Sequence, residues 1–309
     1  ALSIDLIASL ACGLAFPAVG VASDGDYAGA WRGVFLSKNS LGATMLIACL
    51  SYYVLRATER RPWLLLMAAL AFGLIVVSQS RTSLVILLAL IPILALTRRY
   101  FRAPRRFAAI LGLALCFASF AALFLGVMFR ALLHLLGRDA TLTGRTDIWL
   151  LSWDAIQSRF WIGYGFGAFW SNPWGPASEI WDSLNWRAPS SHSGVLELWL
   201  ALGAVGVALF AWLLGQTFLR IVFGVAMRRR EEALWLIGYF FVFVVHAVTE
   251  PSMMEQTSIT WVLLVTTSCA VADQRSRARG PNGRASAASR ARALPAGARH
   301  WPSRNTSRE

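Results

Sequence analysis

His192 is the residue whose setting most favours catalysis. It lies in the polar stretch Pro189–Gly194, directly before a long apolar run, and Glu197 follows a little over one helical turn further in. Histidine titrates near neutral pH, so a histidine at the mouth of a membrane span can take a proton from a hydroxyl group. The same position would also suit a residue that caps the helix, and the surrounding residues leave both interpretations open.

Two arginines, Arg81 and Arg145, stand where helices are predicted to begin. Arg81 lies in the tight turn Ser78–Ser83 between two apolar runs, and Arg145 lies in Gly144–Trp149, a turn that leads into a helix. A helix N-terminus favours phosphate because its unpaired N–H groups and positive dipole end face the anion, and a guanidinium group adds forked donors. The alternatives are that Arg145 pairs with Asp147 or another loop acid, and that Arg81 only snorkels to the membrane surface.

The sequence does not predict a metal site. His246 precedes Glu250 by one helical turn, but two ligands do not form a metal site, and a buried hydrogen bond is the favoured interpretation. Asp24 and Asp26 form an Asp-x-Asp pattern that is more typical of a turn. The sequence contains no HExxH, Walker or GxSxG motif, and its four cysteines lie in apolar runs without a metal-ligand spacing. We therefore expect neither a metal nor a cofactor.

The composition indicates a protein that crosses a membrane several times. Of the 309 residues, 57% are hydrophobic and only 15% are charged, whereas about 25% charged residues are usual in soluble domains. These values exclude a disordered protein, a soluble enzyme with a polar surface and a disulfide-stapled secreted module. The net charge of +13 does not indicate nucleic-acid binding, because much of it comes from a basic C-terminal tail.

Eight apolar runs approach the roughly 20 residues that a transmembrane helix needs. They cover residues 2–21, 39–55, 63–79, 82–97, 107–129, 194–218, 233–249 and 257–272. Twenty-one of the 29 Lys and Arg residues fall in alternate loops and in the tail, so the positive-inside rule assigns these segments and both termini to the cytoplasm. The predicted fold is all-α, a polytopic transmembrane helix bundle over residues 1–274 followed by a disordered basic cytoplasmic tail over 275–309.

The predicted bundle carries one large extracytoplasmic loop over residues 130–193. This loop contains seven of the fourteen tryptophans, and tryptophan is typical of the headgroup level of a membrane. A loop of this length is unusual in a compact protein unless it has a function. It is either a segment anchored to the interface by its indoles or a lid over a site that admits an amphipathic substrate from the bilayer.

Several short motifs occur in an order that is typical of one family of membrane proteins. They are Arg32–Phe35 with Lys38–Gly42 before a span, Ser78–Arg81 at the hairpin, Gly144–Trp149 in the large loop, Gly163–Gly167, His192 and Thr249–Ser252. Each motif is weak alone, but the ordered set resembles the O-antigen ligase and exopolysaccharide polymerase superfamily. The sequence departs from that family at Ser193, where relatives often have Asn, and we expect it to lack N-terminal spans that longer members have.

The resemblance implies a GT-C-like bundle and a metal-independent inverting glycosyltransferase at the outer face of the bacterial inner membrane. Its donor would be a glycan linked to undecaprenyl diphosphate and its acceptor a glycan or a lipid, with polymerisation favoured over ligation. Other polysaccharide-assembly proteins are expected as partners, and nucleic acid is not. By their positions in the motifs, Arg81 and Arg145 would hold the diphosphate and His192 would activate the acceptor hydroxyl. Seven further residues would contact substrate: Arg32, Lys38, Asn39, Asp147, Trp149, Glu197 and Glu250.

Two other functions are alternatives to a glycosyltransferase. A transporter or flippase for lipid-linked sugars usually carries charged residues or broken helices at the membrane midplane. Here the polar cluster is predicted outside the membrane, and the spans hold few ionisable residues besides His246, which favours the enzyme. An inactive membrane scaffold is the other alternative.

Overall fold

The computed structural model describes residues 1–23, 28–100, 145–225, 230–251, 255 and 258–279, and throughout these residues it is helical without a β-strand. The helices are α1 (Leu2–Ala15), α2 (Pro17–Gly20), α3 (Lys38–Glu59), α4 (Trp63–Val77), α5 (Arg81–Tyr100), α6 (Arg145–Ser158), α7 (Ala168–Ser171), α8 (Ser178–Leu184), α9 (Gly194–Arg220), α10 (Arg230–Thr249) and α11 (Ile259–Arg279). An isolated antiparallel bridge joins Val21 to Trp31. The prediction of an all-α polytopic bundle is confirmed.

Four of the described helices are long and apolar enough to cross a membrane: α3, α5, α10, and α9 with the π-helical turn that extends it. Three further apolar helices are shorter, namely α1, α4 and the stretch Ile259–Asp273 of α11. The predicted span 107–129 lies outside the described residues. The predicted span over 2–21 is divided into two helices, because α1 ends at Ala15 and Pro17 begins α2.

The last described helix ends later than the predicted boundary of the transmembrane domain. The sequence predicts that boundary at residue 274, whereas α11 continues to Arg279. The helix therefore includes the first residues of the predicted tail 275–309, and the rest of that tail lies outside the described residues.

The hairpin between α4 and α5 brings polar residues to one end of the bundle. Gln79 adopts a left-handed backbone with φ of 53°. Ser78 Oγ donates to Ile75 O at 2.7 Å and accepts from Ser80 N at 3.3 Å, which closes the turn. α5 begins directly afterwards at Arg81, so the tight turn predicted there is confirmed.

The membrane helices share one apolar core. α10 packs against α3 and α5, and α3 packs against α4. The fully buried large side chains of this core include Tyr239, Phe243, Leu41, Met45, Leu46 and Ile75. Gly42 lets α3 and α5 approach closely, because a Cβ at that position would lie 2.5 Å from Ser83 Oγ. Polar groups near Gly42 are therefore held between packed helices.

The described part of the large loop forms its own aromatic cluster around α6, α7 and α8. The buried members of this cluster are Ile156, Phe169, Ala177, Ile180 and Leu200. Leu200 belongs to α9, so the loop packs onto a membrane-spanning helix. Trp153 and Trp199 add an edge-to-face contact with ring centroids 5.5 Å apart. The loop is consequently a folded unit with a fixed place beside the bundle.

Candidate functional site

A cleft of about 750 Å³ lies where the folded loop meets the ends of the membrane helices. Six of the ten predicted site residues line it: Arg32, Lys38, Asn39, His192, Glu197 and Glu250. We call its two sides the membrane wall (Arg32, Lys38, Asn39, His246 and Glu250) and the loop wall (Trp170, Ser190, His192 and Glu197). The fold thus brings most of the predicted site residues to one place.

His192 lies on the short turn that precedes α9 and has a left-handed backbone with φ of 53°. Its amide donates to Ser190 Oγ at 3.3 Å, and its side chain is half-buried in the cleft. A residue other than glycine adopts this backbone only where its surroundings enforce it, and such positions cluster at functional sites. A half-buried imidazole at a cleft surface can meet a bound hydroxyl group.

Two side chains hold the His192 turn in place through Ser191. Trp149 Nε1 donates to Ser191 O at 2.9 Å, and Ser191 N donates to Glu197 Oε1 at 2.5 Å. Glu197 also accepts from Trp170 Nε1 at 2.9 Å. The predicted substrate contacts Trp149 and Glu197 therefore direct their polar atoms towards the turn, which is the arrangement of positioning residues.

The membrane wall is joined by side-chain hydrogen bonds between three helices or their ends. Asn39 Nδ2 donates to Glu250 Oε1 at 2.7 Å, and Ser80 Oγ donates to Asn39 Oδ1 at 3.2 Å. Ser80 and Ser83 hydroxyls lie 3.0 Å apart. Glu250 is 8% exposed and Ser80 and Ser83 are fully buried. Because Gly42 permits this close packing, the amide of Asn39 is locked by an acceptor on one side and a donor on the other.

Two cationic side chains, Arg32 and Lys38, line the same wall. Arg32 Nε donates to Val19 O at 2.8 Å, which fixes the guanidinium group, and its backbone N donates to Gly20 O at 2.8 Å. Lys38 is the first residue of α3, whose N-cap Ser37 accepts from Ser40 N at 3.1 Å. Positive charge and a helix N-terminus together favour an anion in this part of the cleft.

The arginines predicted to hold the diphosphate stand at the first residues of helices. Arg81 begins α5 and Arg145 begins α6, so each is at the helical position predicted for it or one residue from it. Arg81 is exposed and is not among the residues that line the cleft, although the adjacent Ser80 bonds to Asn39 in its wall. The side chain of Arg145 lies outside the described residues, and Asp147 is exposed on the first turn of α6.

His246, for which the sequence favoured a buried hydrogen bond, is also a residue of the cleft. It is only 4% exposed, as a buried hydrogen-bonding histidine should be, but it lines the membrane wall one turn before Glu250. The His-x-x-x-Glu spacing was the signal that could have assigned it to the site. Among the described residues, no group of three or more His, Cys, Asp or Glu side chains is placed to hold a metal ion.

Two further cleft residues had no signal in the sequence. Trp170 reaches the cleft because its indole bonds to Glu197, and one tryptophan among seven in the loop could not be singled out. Glu255 follows α10 and lines the cleft while remaining exposed to solvent on one side. The protein atoms around it raise the pKa of the Glu255 carboxyl above its ordinary value through desolvation.

The helices and the cleft define a multi-pass membrane protein with a polar site at one end of its bundle. The O-antigen ligase family model matches residues 66–211, which include most of α4, all of α5 and the described loop. The chain is also similar to the exopolysaccharide production protein ExoQ of Rhizobium meliloti (strain 1021), with 26% identity over 274 aligned residues. These matches confirm the predicted resemblance to the O-antigen ligase and exopolysaccharide polymerase superfamily.

The relative is longer than this chain. The alignment covers 79% of this chain and 59% of ExoQ. No solved structure matches the chain. The family match ends before α10, so the membrane-wall residues His246 and Glu250 lie outside it, and Arg32, Lys38 and Asn39 precede it.

Proposed function

We propose that the protein is a glycosyltransferase of the bacterial inner membrane that transfers lipid-diphosphate-linked glycans at the extracytoplasmic face. The observation that carries the proposal is the cleft itself, which combines His192, fixed cationic groups and neutral or acidic hydrogen-bonding side chains at the end of the bundle. These are the groups that a sugar hydroxyl, a diphosphate and a glycan require. The family match and the name of the relative support the same class of chemistry.

The reaction we propose is a single displacement with inversion at the anomeric carbon. The acceptor hydroxyl oxygen forms the new bond to that carbon while the bond from the carbon to the diphosphate oxygen breaks. His192 takes the hydroxyl proton, and the diphosphate leaves with its negative charge. No carboxylate nucleophile is needed, because the sugar inverts in one step.

Cationic side chains would stabilise the charge that develops on the leaving diphosphate. Arg81 and Arg145, at helix starts, are proposed to hold it with forked donors. Arg32 and Lys38 are proposed to contact the anionic part of the donor from the membrane wall, and Asn39, Glu250 and Glu255 the glycan hydroxyls. Because arginines supply the positive charge, the proposed reaction requires no divalent metal.

A polymerase is favoured over a ligase within this class. The Lys38–Gly42 and Gly163–Gly167 stretches resemble the polymerases of the superfamily, and ExoQ is named for exopolysaccharide production. We propose that both termini are cytoplasmic, because the arginine-rich loops flank the spans on that side. The cleft would then open on the extracytoplasmic side, where other polysaccharide-assembly proteins could deliver and receive glycans.

The proposal is tested by reconstituting the protein in liposomes with an undecaprenyl-diphosphate-linked oligosaccharide. We expect a ladder of glycans that lengthens with time and survives EDTA, read by gel electrophoresis and mass spectrometry. A single addition to a lipid acceptor would favour a ligase. Donor that crosses the bilayer without any new glycosidic bond would favour a flippase and contradict the proposal.

The orientation is tested separately with reporter fusions. A reporter that is active only outside the cytoplasm should be active when fused after Trp174 and inactive after Arg229. The reverse pattern would place His192, Arg81 and Arg145 in the cytoplasm and contradict the proposed donor site.

A further inference from the structure

The long helix α9 is broken near its first third. Gly203 has φ of 64° and ψ of −170°, which is not helical, so the backbone hydrogen-bond ladder is interrupted there. A break in a membrane-spanning helix exposes backbone groups that lipid cannot satisfy, and such breaks occur only where other protein groups satisfy them.

The loop supplies the missing partners through residues 160–165, which we call the docking segment. On the near side of the break, Tyr164 N donates to Leu200 O at 2.7 Å and Gly165 N donates to Ala201 O at 2.9 Å. These bonds satisfy the carbonyl groups that the interrupted ladder leaves.

Beyond the break, α9 supplies the N–H donors and the docking segment supplies the carbonyl acceptors. Ala204 N donates to Phe160 O at 2.8 Å and Val205 N donates to Trp161 O at 3.3 Å. The docking segment therefore pairs with α9 on both sides of Gly203. Its four hydrogen bonds satisfy two carbonyl groups of α9 before the break and two N–H groups after it.

Two glycines make this contact sterically feasible. A Cβ on Gly203 would lie 2.3 Å from Trp161 O, and a Cβ on Gly163 would lie 2.6 Å from Leu200 O. Both positions have a positive φ and face backbone atoms that cannot move aside as a side chain could. Gly163, the first glycine of the Gly-x-Gly-x-Gly stretch, thus allows the backbones to pack together.

The side chains of the docking segment continue the lipid-facing surface of α9. Trp161 is 68% exposed and Ile162 is 73% exposed, and their backbone lies against α9 at Gly203 and Val205, where Leu202 and Val205 are also exposed. The exposed apolar residues of α9 and its extension run from Leu202 to Phe223, a rise of about 32 Å at 1.5 Å per residue. That length matches a hydrocarbon core of about 30 Å, so Leu202 marks one boundary of the core.

We infer that the docking segment is a re-entrant element whose Trp161 and Ile162 side chains contact the lipid acyl chains at the boundary of the hydrocarbon core. Its backbone can lie at that depth because α9 satisfies it. The partner is the bilayer itself, since the exposed apolar surface is continuous with that of a membrane-spanning helix. The inference does not depend on the catalytic proposal.

The test measures the depth of Ile162 with a fluorophore. The four cysteines are replaced by serine, Ile162→Cys is introduced and labelled with bimane, and the protein is reconstituted in brominated phosphatidylcholine. We expect stronger quenching by lipid brominated near the carbonyl end of the acyl chain than by lipid brominated deeper. Quenching as weak as that at the solvent-exposed Ser171→Cys would overturn the inference.

Leu209→Cys provides the matched lipid-facing control. Leu209 is 65% exposed and follows Gly203 by six residues, which is more than one and a half helical turns. Its bimane should be quenched more by the deeper bromine. If Ile162 shows the same depth profile as Leu209, the segment lies in the core and the boundary assignment is overturned.

A second pair of variants tests the docking contact. Gly203→Ala should displace the docking segment and reduce lipid quenching at position 162, whereas Gly215→Ala in the same helix should not, because open space surrounds a Cβ at Gly215. Unchanged quenching in Gly203→Ala would overturn the role of the glycine contact. Gly163→Ala provides the same test from the loop side if Gly203→Ala does not fold.

Discussion

The two walls of the cleft are held together in different ways. In the membrane wall, Asn39 bonds side chain to side chain with Glu250 and with Ser80 behind the wall, across packed helices. In the loop wall, Glu197, together with Trp149 behind the wall, bonds to the backbone of the turn that carries His192. The first arrangement is part of the buried core, and the second holds a strained turn at the surface of that core.

This difference separates stability from catalysis. Removing a bond from the membrane wall takes a hydrogen bond away from a buried polar group, which costs stability. Removing a bond from the loop wall frees a turn in which Ser190 and His192 are partly exposed, so we expect the turn to move while the fold persists. A site built in this way can keep its scaffold rigid while single loop contacts set the position of the catalytic group.

The largest expected effect concerns the loop wall. His192→Ala should reduce glycan transfer by about 10²–10⁴-fold, because a general base typically contributes that much, while donor binding and the melting temperature change little. The rate of transfer and donor binding are measured side by side in liposomes. Asp182→Asn, at an exposed position of α8, is the control that should behave as wild type. Full activity in His192→Ala would contradict the proposal that His192 is the general base.

The next effect concerns charge at the helix starts. Arg81→Lys keeps the charge but loses the forked donors, and a hydrogen bond to a charged group contributes about 1.5–3 kcal/mol, so the apparent KM for donor should rise roughly tenfold to hundredfold. Steady-state kinetics against donor concentration give the value. An unchanged KM would mean that Arg81 only snorkels to the membrane surface.

In the membrane wall, Asn39→Ala should lower stability more than it changes the transfer rate of the remaining folded protein. Glu250 would lose the Asn39 donor in a buried site, at a cost of about 1–3 kcal/mol. Thermal unfolding in detergent checks the stability. The paired variant Glu250→Gln retains an acceptor for the Asn39 amide and should be milder. A large rate loss at unchanged melting temperature would contradict the distinction between the two walls.

Behind the loop wall, Trp149→Phe should give the opposite pattern. The aromatic ring is retained but the N–H donor to Ser191 O is lost, which contributes about 0.5–1.5 kcal/mol, so kcat should fall up to about tenfold with little change in melting temperature. Trp174→Phe, at a tryptophan that is 93% exposed, is the matched control and should change neither quantity.

The smallest expected effect concerns Glu255, whose pKa is raised by desolvation. The pKa of the Glu255 carboxyl is higher in the folded state than in the unfolded state. The protonated carboxyl therefore favours folding at low pH, and this contribution to the free energy of unfolding is lost as the pH rises through the folded-state pKa. Glu255→Gln should therefore raise the melting temperature slightly at pH 8 and leave it almost unchanged at pH 4. A variant that is less stable at pH 8 would indicate that Glu255 has a charged partner.

Much of the fold could be predicted because apolar runs of sufficient length indicate membrane helices directly. The short α1 and α2 show the limit, since the hydropathy of residues 2–21 is continuous while Pro17 divides the helix. The break at Gly203 could not be foreseen, because a glycine within an apolar run is common in membrane helices. Only the distant docking segment reveals why the backbone departs from helical geometry there.

The candidate site was predictable in its residue types and less so in their roles. Six predicted residues line one cleft, because polar groups at the ends of apolar runs must gather where the helices end. The position of Trp149 behind Ser191 depends on how the loop folds, which a short sequence motif does not encode. The spacing of His246 and Glu250 placed the two residues on one helix face, but that this face borders the cleft became clear only from the packing of α10.

The pairing of the docking segment with α9 also constrains how the protein is made. Gly163 precedes Gly203 by 40 residues in the chain. At about 5–20 residues per second, the ribosome needs roughly 2–8 s to synthesise that interval. During that interval the α9 residues whose backbone groups bond to the docking segment have not yet been synthesised. The segment must therefore wait until the span has been synthesised and inserted, so the loop wall of the cleft is completed only after α9 enters the membrane.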